Sequence, residues 1–207
     1  MKGLWKKSLG GMWNHERYKM ALKVIKGDVL EADTESIILT IDGSAEGMEG
    51  NIARLFNKKY SDAWENIEDE MIYPLSLGSV KLIKIDTDII CNFKYALIAS
   101  TLHHKYVLQK RDIYSIIRNA FIDAIQTASA NKISSLAATI MAGGWRLSAS
   151  EAFRCMIDAY KSIQLSLTYM PIIKIYTISE NDFKIFLKMA KDLGLLYKSN
   201  ENFFIVE

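Results

Sequence analysis

Two glycine-bearing segments are the part of this sequence best suited to binding an anion. The first follows Ile41 and carries glycines at 43, 47 and 50, and the second follows Met141 and carries glycines at 143 and 144. Each stands between an apolar run and an amphipathic one, so each predicts a loop that joins a strand to a helix. Glycine lets backbone amides approach a phosphate closely, and the start of a helix favours a negative charge. Either segment alone is consistent with an ordinary turn, but the two together favour a clasp around a diphosphate.

The side chains near these glycines are suited to nucleotide contacts. Trp145 could stack on a ribose or a base, and Arg146 could pair with a phosphate. The alternative is a Trp packed against its own loop and a solvated Arg. Asp28 comes directly after an apolar run, where an Asp either caps a turn or accepts a hydrogen bond from an exocyclic amine. Taken by itself, the position of Asp28 favours the turn.

The histidines and cysteines do not form a metal-binding pattern. His103 and His104 are adjacent, and adjacent residues of an extended segment point to opposite faces, so we expect a surface loop there. Cys91 and Cys155 lie far apart and predict buried thiols in a reducing cytoplasm. The sequence therefore predicts no metal site and no cofactor.

Composition excludes several classes of protein. Half of the residues are hydrophobic, which is incompatible with a disordered chain. The net charge is only +2, with acidic and basic residues mixed, so a nucleic-acid partner is not expected. The N-terminal segment is basic, but no apolar run follows as in a secretory signal, and no stretch reaches the roughly 18 apolar residues of a membrane span. We therefore expect a soluble cytoplasmic domain with no membrane contact.

Strand-like and helix-like segments alternate along the chain. This alternation implies crossover connections, a largely parallel sheet and helices on both faces. In such a sheet the ligand lies beyond the carboxyl ends of the strands, here in the loops after Ile41 and Met141. Apolar patterning predicts strands at Met20–Ile25, Ser36–Ile41, Ser79–Ile85, Tyr95–Ala99, Leu136–Met141 and Ile172–Ile178, and helices at Gly50–Phe56, Ser61–Glu70, Ile113–Ala128, Ser148–Ile163 and between Ser179 and Gly194.

In combination these segments resemble the macro domain, a family whose crevice binds ADP-ribose. The resemblance rests on a Gly-Asp step after the first strand, on a strand that leads into a phosphate loop, and on a second glycine loop before a helix. The motifs occur in the order of the family from about Tyr18 to Leu195, at Val24–Val29, Ser36–Ile38, Gly47–Ile52, Lys94–Ile98 and Ala138–Trp145, with Glu151 and Ala152 following.

The resemblance implies an α/β fold of three layers, α/β/α, around a central mixed, mostly parallel sheet. It places the macro-like domain at residues 18–195, an N-terminal extension at 1–17, and a C-terminal extension at 196–207 that we expect to add an edge strand. The expected ligand is ADP-ribose or a related nucleotide, free or attached to a protein, with adenine at Asp28 and the diphosphate between the two loops. The ligand-binding residues that the resemblance implies are Asp28, Val29, Gly47, Met48, Gly50, Asn51, Ala142, Gly143, Gly144, Trp145 and Arg146.

Two carboxylates depart from the pattern of the family. Where the family has Asn-Ala-Ala-Asn this chain has Leu39–Asp42, so Asp42 replaces the Asn that contacts the distal ribose. Glu49 replaces an Asp that is catalytic in some hydrolases of the family, and as a general base it would activate a water near the anomeric carbon. Its extra methylene matters because a misplacement of about 1 Å can cost about 100-fold in rate. Two carboxylates near a diphosphate also repel it unless one is protonated or points away.

These departures leave three interpretations, of which the first is preferred. The domain binds ADP-ribose without efficient turnover. Alternatively, it is an ADP-ribosyl hydrolase that frees acidic side chains, with Glu49 as general base and Asp42 as a second catalytic candidate. In the third interpretation Trp145 or Met48 fills the crevice, and the domain is a protein-interaction module.

Overall fold

The computed structural model describes residues 22–44, 50–104, 109–144 and 146–206, which form eight strands and five α-helices. A single turn of 3-10 helix at Val29–Glu31 follows the first strand. The strands are β1 (Leu22–Lys26), β2 (Ser36–Asp42), β3 (Val80–Lys84), β4 (Tyr95–Leu102), β5 (Ser135–Thr139), β6 (Ile172–Thr177), β7 (Leu196–Ser199) and β8 (Phe203–Val206). The helices are α1 (Asn51–Lys59), α2 (Ser61–Glu70), α3 (Lys110–Ala130), α4 (Ala149–Ile163) and α5 (Glu180–Asp192).

The eight described strands form one sheet in the order β3-β4-β2-β5-β6-β1-β8-β7. The five central strands, from β4 to β1, are parallel to one another. Antiparallel pairs flank them on both sides, β3 with β4 and the hairpin of β7 and β8 next to β1. Parallel neighbours require crossover connections, which the helices supply. The predicted mixed, mostly parallel sheet is confirmed.

Strand β2 shows why this sheet needs helices on both faces. Ile38 packs in the core beneath α3, α4 and α5, whereas Ile37, Leu39 and Ile41 pack in a second core beneath α1 and α2. Successive side chains of a strand point to opposite faces, so a strand buried on both faces has a continuous apolar sequence. The Ile-Ile-Leu-Thr-Ile run of β2 has that character, and the predicted three-layer α/β/α architecture is confirmed.

Side-chain caps fix the starts of the helices that follow β5 and β6. Ser148 Oγ accepts from the amide of Glu151 at 3.3 Å, while the Glu151 carboxylate accepts from the amide of Ser148 at 3.0 Å, which completes the predicted capping box of α4. Ser179 Oγ accepts from the amide of Asp182 at 3.1 Å and caps α5. Both caps stand at the carboxyl edge of the sheet, so they fix where the loops in front of them end. None of the described helices is long and apolar enough to cross a membrane.

The C-terminal hairpin extends the sheet beyond β1. Strand β8 pairs with β1, and β7 lies at the edge. The sequence predicted an edge strand within residues 196–207, and β7 takes the edge position there. The apolar run Phe203–Val206 is second from the edge, and Phe204 and Val206 are fully buried, with the Phe204 ring 5.5 Å from that of Phe183.

Candidate functional site

The carboxyl ends of the five parallel strands form one edge of the sheet, and the predicted site residues follow those ends. Strand β1 ends two residues before Asp28, β2 ends at Asp42, and β5 ends three residues before Ala142. Parallel strands have their carboxyl ends at the same edge, so the fold brings the Asp28 turn and both glycine loops together. The order β2-β5-β6-β1 places the two glycine loops on adjacent strands and the Asp28 turn two strands farther along.

Helix α1 begins directly over the end of β2. Gly50 is its N-cap, and a Cβ at Gly50 would overlap the carbonyl oxygen of Thr40, so only glycine permits this approach. The amides of Asn51 and the next two residues have no acceptor within the helix, and no acidic side chain stands in its first turn. The start of α1 is therefore suited to an anion.

The second glycine loop makes a tight turn after β5. Gly143 and Gly144 have φ angles of +58° and +66°, a region that favours glycine. The amides of Arg146 and Leu147 both donate to the carbonyl of Ala142, at 3.1 and 3.2 Å. The amide of Arg146 is thus part of the turn, while its guanidinium is exposed and forms no ion pair with the described residues. The amides of Gly143 and Gly144 donate to no described acceptor, so they are available to donate to an anion.

Asp28 has the turn-capping role that the sequence favoured. Its Oδ1 accepts from the amide of Leu30 at 2.9 Å and caps the 3-10 turn, in which Val29 is buried. The side chain of Asp28 is exposed, and its second oxygen accepts from no described residue. A capping Asp therefore presents a fixed carboxylate at the end of β1, and its contact with adenine remains a prediction.

Asp42 is the most heavily bonded carboxylate of this sheet edge. Its side chain is only 2% exposed, Oδ1 accepts from the amide of Ser44 at 2.9 Å, and Oδ2 accepts from the amide and from Nδ1 of His104 at 2.9 and 2.8 Å. Burial alone would raise the pKa of Asp42, but hydrogen bonds from Ser44 and His104 outweigh it and hold the pKa below its ordinary value. Asp42 is therefore ionised at neutral pH and turned towards the protein.

Comparisons with known proteins identify the fold to which this sheet edge belongs. Neither a protein-family model nor a curated protein matches the sequence. Among solved structures, a variant of the Oceanobacillus iheyensis macrodomain with ADPR gives a TM-score of 0.68 at 16% identity, covering 82% of this chain and 91% of that chain. The Trypanosoma brucei macrodomain in complex with ADP-ribose gives 0.63 at 12% identity, covering 80% and 67%. The macrodomain of Mycobacterium tuberculosis DarG gives 0.54 at 18% identity, covering 75% and 98%.

This chain has the macrodomain fold. The resemblance inferred from the sequence is thereby confirmed at the level of the fold, for a chain of low identity to its structural neighbours. Within this macrodomain fold, the start of α1, the Gly143–Gly144 turn and the Asp28 turn lie at the same edge of the sheet. Four of the site residues inferred from the sequence, Gly47, Met48, Glu49 and Trp145, lie outside the described residues. Their contacts with a ligand, and the catalytic role of Glu49, therefore stay predictions.

The histidine pair departs from the surface loop that the sequence predicted. His103 is buried, and its Nε2 donates to the carbonyl of Leu75 at 2.7 Å. It also packs against Gly43, where a Cβ would lie 2.7 Å from His103 Nε2, so packing alone explains the glycine at 43. His104 is 40% exposed in its side chain and contacts Asp42. The two adjacent side chains point to opposite sides, as expected, and each contacts the protein: His103 contacts Leu75 and His104 contacts Asp42.

Sequence reasoning missed the contact between His104 and Asp42. The available signal was that β2 and β4 were both predicted strands and that Asp42 and His104 each follow one of them. In the structure β2 pairs with β4 in parallel, with Asp42 opposite Leu102, which brings His104 beside the carboxylate. Within the described ranges, no group of three or more His, Cys, Asp or Glu side chains is arranged to hold a metal ion.

Proposed function

We propose that this chain binds ADP-ribose, or a nucleotide diphosphate like it, in the crevice at the carboxyl ends of the parallel strands. The observation that carries the proposal is the meeting of two anion-suited loops at one sheet edge, the start of α1 over β2 and the turn of Gly143 and Gly144 after β5. In this proposal the amides of both loops hold the diphosphate, Arg146 adds a positive charge, and Asp28 accepts from adenine. The macrodomains with ADPR and with ADP-ribose that share this fold support the same ligand.

The state of Asp42 removes an objection to this ligand. Two carboxylates beside a diphosphate would repel it, as the sequence indicated. Asp42, however, is buried and accepts three N–H hydrogen bonds, so its charge is compensated by donors of the protein. The proposed binding therefore meets less repulsion than the sequence implied.

Calorimetric titration with ADP-ribose, AMP and NAD tests the proposal. We expect ADP-ribose to bind with micromolar affinity and at least about tenfold more tightly than AMP, because AMP reaches the Asp28 end but lacks the second phosphate and the distal ribose. NAD carries the same diphosphate with a nicotinamide on the distal ribose, so weaker binding of NAD would show that the distal end of the crevice is closed. Absence of heat with all three would favour the closed crevice of a protein-interaction module instead.

The physiological form of the ligand is part of the same proposal. We infer that the ADP-ribose is carried by a protein in the cytoplasm, because the sequence predicts a cytoplasmic chain and the distal end of the crevice is where a carrier would attach. Capture of an ADP-ribosylated peptide, competed by free ADP-ribose, tests the partner, and fractionation of cells that express the tagged chain tests the location. Capture that free ADP-ribose does not displace would count against the crevice as the binding surface.

A further inference from the structure

A cleft of about 540 Å³ lies between helices α3, α4 and α5. None of the described residues that line it belongs to the proposed nucleotide site. Helices α3 and α4 follow β4 and β5, so both begin at the carboxyl edge of the sheet. The lining includes Leu147, which directly follows Arg146 of the second glycine loop. The cleft therefore adjoins that loop, and the proposed function assigns no role to it.

The floor of the cleft is apolar. Leu147 is buried in the core beneath these helices, and Tyr114 and Met189 are partly buried and pack against that core. The hydroxyl of Tyr114 donates to Oδ2 of Asp158 at 2.7 Å, which fixes the direction of its ring. An apolar side chain of a partner that packed on this floor would remove apolar surface from water on both molecules.

The rim of the cleft is basic. The side chains of Lys110, Arg111 and Arg154 are 65%, 81% and 51% exposed. Among the described residues of the lining, Glu151 is the one carboxylate, and hydrogen bonds from Lys110 and Ser148 hold its pKa well below the ordinary value, at about 2. The lining thus carries three positive charges and one negative charge, which favours an acidic partner.

Both arginines of the rim already contact a carboxylate of their own helix. Nε of Arg111 lies 3.7 Å from Asp112, which also accepts from the amide of Gln109 in the cap of α3, and Nε of Arg154 lies 3.4 Å from Asp158. Exposed pairs of this kind contribute little to stability, because water and salt screen them. A guanidinium has five N–H donors, so each arginine can receive a second carboxylate while it keeps the first.

The openness of the cleft favours a protein segment as its occupant. Sites for small molecules enclose most of their ligand, whereas each basic side chain of this rim is more than half exposed. A nucleic acid prefers a continuous row of cations along its phosphates, and here Asp112, Glu151 and Asp158 interrupt the row. A segment with acidic residues on both sides of an apolar one complements both the rim and the floor.

We propose that this cleft docks an acidic segment of a partner protein. An apolar side chain of the segment packs against Leu147 and Met189. Its carboxylates pair with Lys110, Arg111 and Arg154. Because the cleft is small and open, the interface is a weak and transient one, with an expected Kd of about 10–100 μM. The docking needs no nucleotide, so it goes beyond the proposed function and does not depend on it.

Fluorescence anisotropy of a labelled peptide, with acidic residues on both sides of a single leucine, tests the proposal. We expect Arg111→Glu and Arg154→Glu each to weaken binding at least about fivefold, because an attraction becomes a repulsion. Lys58→Glu is the matched control, since it reverses the charge of an exposed lysine on α1, which packs on the opposite face of the sheet. It should keep the affinity within about twofold. Calorimetric melting confirms that each variant is folded.

Two changes outside the protein separate the floor from the rim. Replacement of the leucine of the peptide by serine should weaken binding at least about threefold, because the apolar contact with the floor is lost. Raising the salt concentration from about 0.05 to 0.5 M should also weaken binding, because dissolved ions screen the exposed charges of the rim.

Several outcomes would overturn the proposal. These are failure of the unchanged protein to bind the peptide, equal affinity in both arginine variants, and a loss in Lys58→Glu as large as that in Arg111→Glu, which would mean that only net charge matters. Tighter binding of a single-stranded oligonucleotide of the same charge, lost in the arginine variants, would assign the cleft to nucleic acid instead. Failure to bind ADP-ribose would refute the proposed function and leave the docking surface in place.

Discussion

Two strands of this sheet, β1 and β2, are each followed or ended by an aspartate at the carboxyl edge, yet the two aspartates have opposite environments. Asp28, after β1, is exposed and uses one oxygen to cap a single turn. Asp42, at the end of β2, is buried and accepts three hydrogen bonds from Ser44 and His104. A buried carboxylate whose two oxygens both accept from the protein is shielded from a ligand, whereas an exposed carboxylate with an unused oxygen can accept from one.

The contrast shows that a match to the family motif and the burial of a side chain indicate different roles, ligand contact in the first case and stability in the second. Asp28 matches the family motif and keeps the capacity to bind, so its role is proposed to be ligand contact. Asp42 departs from the motif, and its carboxylate is bonded by His104, which follows the neighbouring strand β4. We therefore expect substitutions at Asp28 to affect affinity and substitutions at Asp42 to affect stability.

The largest expected effect on stability is that of Asp42→Ala. This change leaves the buried amide of Ser44 and the partly exposed amide and ring of His104 without their acceptor, which should lower the free energy of unfolding by about 3 kcal/mol. For a chain of this length that corresponds to a fall of about 6–12 °C in the melting temperature. Calorimetric melting of both proteins measures it, and a fall below about 2 °C would contradict the buried hydrogen-bond network.

Asp28→Ala should have the opposite effects, a large loss of affinity and a small loss of stability. We expect its affinity for ADP-ribose to fall about 10–100-fold, because a hydrogen bond to a charged group contributes about 1.5–3 kcal/mol. Loss of the cap on the 3-10 turn should lower the free energy of unfolding by only about 1 kcal/mol. Titration and melting of the same preparation measure both quantities. Unchanged affinity would remove the proposed adenine contact and the comparison with Asp42.

A third expectation concerns the pH dependence of stability. The pKa of Asp42 is lowered in the folded state, so in the interval below the unfolded value of about 3.9 the unfolded chain binds more protons and stability rises with pH. The contribution of Asp42 is thus fully present above about pH 5 and is lost as pH falls through the folded pKa. Asp42→Asn should remove this part of the slope in urea unfolding between about pH 2.5 and 5.

Other carboxylates with lowered pKa provide the control for that measurement. Hydrogen bonds from Lys174 and from Ser134 lower the pKa values of Asp33 and Glu35, respectively, and both groups are present in both proteins. Their effects cancel when the wild-type and Asp42→Asn slopes are subtracted. Identical slopes would show that Asp42 has the same pKa in the folded and unfolded chains.

Local sequence patterns were sufficient to predict most strands and helices, whereas the contacts of the site depend on the register in which distant strands pair. The continuous apolar run of β2 predicted a strand buried on both faces, and the spacing of Ser148 and Glu151 predicted the cap of α4, because each signal lies within a few residues. Asp42 and His104 are 62 positions apart and meet only because β2 pairs with β4 in one particular register. Strand β7 was missed because Leu196–Ser199 is largely exposed and has little apolar patterning.

The smallest expected effect compares the two glycines of the second loop, which the sequence treats as equivalent. Both have positive φ, so alanine at either position costs about 1 kcal/mol in backbone strain. A Cβ at Gly143 would also lie 2.7 Å from Cγ2 of Ile113, which is fully buried in α3, whereas a Cβ at Gly144 would lie 3.1 Å from the end of the partly buried Leu102 side chain. The Ile113 contact must be relieved inside a packed core, and the Leu102 side chain can move.

Gly143→Ala should therefore unfold at a lower urea concentration than Gly144→Ala, by the equivalent of about 1 kcal/mol. Comparison of this difference with the loss of stability in Asp42→Ala shows which of the two strand ends, that of β2 or that of β5, tolerates substitution better. Equal midpoints for the two alanine variants would mean that α3 shifts to accept the extra methyl group. The second loop would then be the more adaptable wall of the crevice, and the Asp42 end the fixed one.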